Sequence, residues 1–66
     1  MSNLKLLRVE RGLTLMQVAK KLGYKYPGSY AKIENGVQEL RADQVIKLSE
    51  LFEVSEKKIL NKSYSS

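Results

Sequence analysis

The chain has 66 residues with 12 Lys+Arg against 7 Asp+Glu, a net charge of +5, and no His, Cys or Trp. A domain of about 60 residues buries only about 60% of its unfolded surface, so one small core is expected, with no room for a deep substrate pocket. The missing Cys and His exclude a disulfide framework, a thiolate nucleophile and the usual zinc ligand sets; an unstapled cytoplasmic domain with neither metal nor cofactor is the simplest reading.

From the start of the chain, Lys5 interrupts before an apolar h-region can form, so a signal peptide is not expected. No apolar run exceeds two residues, which excludes a membrane-spanning helix. Leu4, Leu7 and Arg8 share one helical face, with Ser2 or Asn3 as cap and Gly12 as stop. Leu15, Val18, Ala19 and Leu22 form a complete i, i+3, i+4, i+7 stripe. Thr14-x-x-Gln17 precedes it as a capping box, and Gly23 suits the left-handed position that ends it, so the spacing predicts a helix over 15–22.

Pro27 fits the first turn of a third helix, Tyr30 and Ile33 point inward, and Asn35-Gly36 stops it. Asn-Gly is also a hairpin signal, but no alternating strand flanks it here. A fourth helix is predicted over about 42–52 with Val45, Leu48 and Phe52 inward. Ser55 then caps a short fifth helix bearing Ile59 and Leu60, and residues 63–66 read as a frayed tail.

Charge is unevenly distributed. Residues 1–32 carry +6, residues 33–56 carry −4, and Lys57, Lys58 and Lys62 restore the total. Such polarity suits a protein with one anion-facing side, although a short chain also segregates charge by accident. The basic segment holds two short helices joined by a turn. Ala19 lets the helices cross closely, Gly23 permits the sharp turn, and Tyr30 and Ile33 anchor the second helix from within. This is a helix-turn-helix arrangement.

Leu4-x-x-Leu7-Arg8-x-x-x-Gly12-Leu13-Thr14-x-x-x-Val18-Ala19-x-x-Leu22-Gly23, followed by Tyr30-x-Lys32-Ile33-Glu34-Asn35-Gly36, resembles the Cro/phage-repressor (XRE-type) helix-turn-helix domain. Val45-x-x-Leu48-x-x-x-Phe52-x-Val54-Ser55-x-x-x-Ile59-Leu60 continues the resemblance, which covers about residues 4–60. It implies an all-α, compact five-helix bundle of the lambda-repressor-like type, with the domain at 1–62 and its motif at 14–35. The partner it implies is double-stranded DNA, bound by a homodimer on a two-fold operator. Pro27, Gly28, Ser29 and Lys32 stand where members of the family touch bases, and Asn35 stands at a common phosphate contact. Arg8 and Glu34 match a pair that in the family forms a buried salt bridge.

Three departures mark the reading end. Tyr30 lies seven residues after Gly23 where the family usually has six, so one residue is inserted within 24–28. Leu15 and Met16 occupy the start of the second helix, where the family often has a Gln that meets the DNA backbone. Pro27 and Gly28 have no side-chain donors, so readout leans on Ser29, Lys32 and the added Lys25-Tyr26, or on DNA shape.

Each position has a plainer reading beside the functional one. Lys32 bonds a guanine edge or is solvated; Ser29 contacts DNA or is helix surface. Lys25 and Tyr26 track phosphates, or Tyr26 staples the helix entry. Arg41 reaches a phosphate or is a rim charge. Tyr24, Lys25 and Tyr26 have the aromatic-plus-basic spacing of single-strand binders, but one triplet on a helical hairpin is no stacking platform.

An enzyme is not expected, because the acids lie on helical faces and no base–nucleophile set exists. Val54, Ile59 and Leu60 are the candidate dimer contacts. A protein-interaction module such as an antitoxin or antirepressor, with or without autorepression, is the alternative, its partner (a toxin or polymerase) unspecified.

Overall fold

Thr14 sets the start of the most locally determined helix. Its Oγ1 accepts from the Gln17 amide at 3.1 Å, and Gln17 Oε1 accepts from the Thr14 amide at 2.7 Å. Two donors that a helix start would leave orphaned are thereby satisfied. The computed structural model describes residues 3–60, and helix α2 runs Leu15–Lys21 within it. Gly23 follows the Leu22 cap at φ +91°, and the Tyr24 amide closes the end on Ala19 O at 2.9 Å.

Around α2 the described chain forms α1 (Asn3–Glu10), α3 (Pro27–Glu34), α4 (Ala42–Phe52) and α5 (Glu56–Leu60), with no strand among the described residues. The all-α five-helix architecture expected from periodicity is what the chain adopts. Pro27 occupies the first turn of α3, and Asn35 and Gly36 end it, Gly36 at φ +80°. Ser55 Oγ accepts from the Lys58 amide at the start of α5. The expected tail at 63–66, Lys62 and the alternative first cap Ser2 lie outside the described residues.

One core cluster joins all five helices: Leu4 and Leu7 from α1, Val18, Ala19 and Leu22 from the α2 region, Tyr30 and Ile33 from α3, Val45, Leu48 and Phe52 from α4, and Ile59 from α5. All but Ile59 are positions the period assigned inward. Leu15 packs only partly against this core. Of the three expected dimer contacts, Ile59 alone is not available at the surface. Ile59 is 4% exposed and belongs to the core, because the single inward position of a five-residue helix is needed to dock that helix. Val54 packs half-buried beside it and Leu60 remains exposed.

Polar ties from Arg8 and Arg11 hold the C-terminal end of α1. Arg8 Nε donates to Glu34 Oε2 at 2.6 Å and Nη2 to Oε1 at 3.2 Å, a two-pronged pair linking α1 to α3. Nη1 donates to Leu13 O at 2.9 Å. The hydrogen bond that Arg8 donates to Glu34 raises the Arg8 pKa above its already high ordinary value, so the guanidinium stays charged. Arg11 donates to Leu7 O and to Phe52 O, at 2.9 and 2.7 Å, and stacks over the Phe52 ring. It thereby ties the end of α1 to the end of α4.

Candidate nucleic-acid interface

Helix α3 is unbroken, and the window 24–28 in which the added residue was expected spans the link and the first two residues of α3. Leu22 and Gly23 turn the chain, Tyr24–Tyr26 run without helical structure, and α3 starts at Pro27. Tyr26 holds the N-cap position with extended φ and ψ, makes no side-chain cap bond, and is 70% exposed. The staple reading of Tyr26 is therefore excluded, since a staple has to pack against the helix it enters.

Helix α3 divides cleanly. Tyr30, Ile33 and Glu34 are buried, while Pro27, Gly28, Lys32 and Asn35 are exposed and Ser29 is half-buried. Gly28, Lys32 and Asn35 follow i, i+4, i+7 spacing and share one outward face, with Ser29 at its edge. A Cβ at Gly28 would meet nothing within 4 Å, so at this point the bare backbone is the surface. The structure thus brings Gly28, Ser29, Lys32 and Asn35 together, with Lys25, Tyr26 and Pro27 at the leading end.

Arg41 lies apart from that face, as the N-cap of α4. Its Nε is 3.4 Å from Asp43 Oδ1, with both side chains more than half exposed, a contact worth little in water. Lys20, Lys21, Lys25 and Lys32 make no ion pair among the described residues. The charge count along the chain overstates the basic side by one, however. Arg8, counted with the first half, and Glu34, counted with the second, neutralise each other inside the protein.

Sequence reasoning missed the polar cluster behind the turn. Gln44 is fully buried; its Oε1 accepts from the Arg41 amide at 2.9 Å, and its Nε2 donates to Tyr24 Oη at 2.6 Å. Gln38 Nε2 approaches the same hydroxyl at 3.3 Å. The available signal was Gln44 itself, which shares the inner stripe of α4 with Leu48 and Phe52 and so had to find buried partners.

A family model described as a helix-turn-helix domain matches residues 2–65. The chain belongs to this family, which is of the XRE/Cro-type class. No curated protein and no solved structure matches it. A helix-turn-helix domain points to DNA binding. No helix among the described residues of this helix-turn-helix domain is long and apolar enough to cross a membrane.

Proposed function

We propose that this helix-turn-helix domain is a sequence-specific regulator of transcription that binds double-stranded DNA with α3 in the major groove. The observation that carries the reading is the division of α3: Tyr30, Ile33 and Glu34 lock it from within, leaving Gly28, Ser29, Lys32 and Asn35 outward. Lys32 is the base-reading cation, and Ser29 contacts a base or phosphate. The open backbone at Pro27 and Gly28 permits close approach to base edges. Lys25 and Tyr26 at the leading end, Asn35 at the trailing end and Arg41 at the N-cap of α4 engage the flanking phosphates.

The functional unit is 1–62 with its motif at 14–35, acting in the cytoplasm without catalysis. A reading face this small specifies few base pairs, so two copies act on a two-fold operator with half-sites about 34 Å apart. Neutralised phosphates release counterions, and affinity therefore falls steeply with salt. The test is selection of an operator from a random duplex pool, followed by titration of operator and random duplex at 50 and 200 mM salt. Salt-sensitive binding to both, tighter on the operator, is the expected outcome; no duplex binding at low salt overturns the proposal. Lys32→Ala is expected to relax preference at one base pair per half-site, and unchanged preference removes Lys32 from the reading set.

A further inference from the structure

The cluster behind the turn holds a hydroxyl proton that no acceptor among the described residues takes. A backbone N–H can only donate, so the Arg41 amide fixes Gln44 Oε1 as acceptor and leaves Nε2 facing Tyr24. Tyr24 Oη is consequently an acceptor at 2.6 Å, and Gln38 Nε2 addresses it as a second donor at 3.3 Å. A phenol has two lone pairs and one proton. Among the described residues no acceptor takes the Tyr24 O–H proton. The ring is half-buried, and its hydroxyl sits at the boundary between buried Gln44 and exposed Gln38.

Location gives that proton a use. Tyr24 lies in the α2–α3 link, two residues before exposed Tyr26, and its hydroxyl is bonded to the start of α4 beside the exposed Arg41. We propose that the Tyr24 hydroxyl is a neutral phosphate anchor, donating to a non-bridging oxygen of the DNA backbone, with Gln44 as the positioning residue that aims it. Resting on the DNA-binding reading above, this assigns to a residue outside the outward face of α3 one specific contact at its flank. It also gives the link a function, because the same bond braces the link against α4. Arg41 supplies a charged phosphate contact nearby, and Tyr24 supplies a directional one.

The two contacts differ in their salt signature. Losing Arg41 removes one released counterion, so Arg41→Gln flattens the slope of log K against log salt by about 0.9. Losing an uncharged donor does not, so Tyr24→Phe lowers affinity about threefold to tenfold on operator and random duplex alike with the slope unchanged. The decisive experiment replaces single operator phosphates by uncharged methylphosphonates, position by position, with the unaltered protein and with Tyr24→Phe. One phosphate per half-site is expected to be sensitive with the unaltered protein and markedly less sensitive with Tyr24→Phe. A general loss of stability would lower affinity equally at every phosphate and could not produce that coupling. Operator binding with additive effects at every phosphate overturns this assignment and leaves the DNA-binding reading standing. Absence of duplex binding overturns both.

Discussion

Tyr30 is fully buried and its hydroxyl has no hydrogen-bond partner among the described residues. Burial first, and the nearby negative charge of Glu34 second, push its phenol far above the ordinary 10.0. The unfolded chain thus loses the Tyr30 proton near pH 10 while the folded chain keeps it. The stability contribution is complete below pH 10 and declines as pH rises above it. Tyr30→Phe should unfold with a shallower alkaline decline, followed by thermal melts between pH 7 and 11. At neutral pH it should match or exceed the parent by up to about 1 kcal/mol, because an unsatisfied buried hydroxyl is removed; a loss of several degrees would show that the hydroxyl is paired. Glu53 offers a second single-residue test. It ends α4 at φ +58°, a left-handed position that costs a side chain about 1–2 kcal/mol. Glu53→Gly should raise the melting temperature by up to about 5 °C, the gain limited by the added freedom of the unfolded chain. Gly23→Ala should do the reverse, through the backbone alone, since a Cβ at Gly23 meets nothing within 4 Å.

Between elements, the Arg8–Glu34 pair carries more than any surface contact. Its side chains are only 11% and 5% exposed, so neither charge is well hydrated and each depends on the other. Arg8→Ala or Glu34→Ala alone should cost about 3–5 kcal/mol, whereas an apolar pair such as Arg8→Met with Glu34→Leu should come close to the parent. A double-mutant cycle by urea denaturation measures the coupling, and additive single effects would rule it out. The pair matters for the interface because Glu34 lies in the last turn of α3. Anchoring that turn to α1 sets the roll of the helix, and roll decides which residues face outward.

At the scale of the whole molecule, charge along the chain becomes a field only after folding. Arg8 is cancelled internally and Arg11 is turned toward the end of α4, so the available basic groups include Lys20, Lys21, Lys25, Lys32 and Arg41. Helix α4 spans 11 residues, about 16 Å, or about twice the screening length at 0.15 M salt. Neutralising Glu50 near its far end should change duplex affinity by less than about twofold. Arg41→Gln at its near end should weaken binding on all sequences, measured by fluorescence anisotropy; equal effects at the two ends would mean that DNA does not approach along the α3 side.

The sequence alone determined what depends on neighbours a few residues apart. The Thr14–Gln17 box, the Gly23 turn, Pro27 at the head of α3 and the inward stripes are local consequences of backbone geometry and period. The face division of α3 follows from Tyr30 and Ile33 in the same way, so most of the candidate site was legible. Arg8–Glu34 was accessible through family resemblance, because no local rule joins residues 26 apart. Tyr24–Gln44 and Arg11–Phe52, separated by 20 and 41 residues, were not legible. Only the tertiary structure brought those partners together and buried Ile59 away from the expected dimer contact. The excess positive charge was legible from composition; where it points depended on which cations folding paired, buried or left in water.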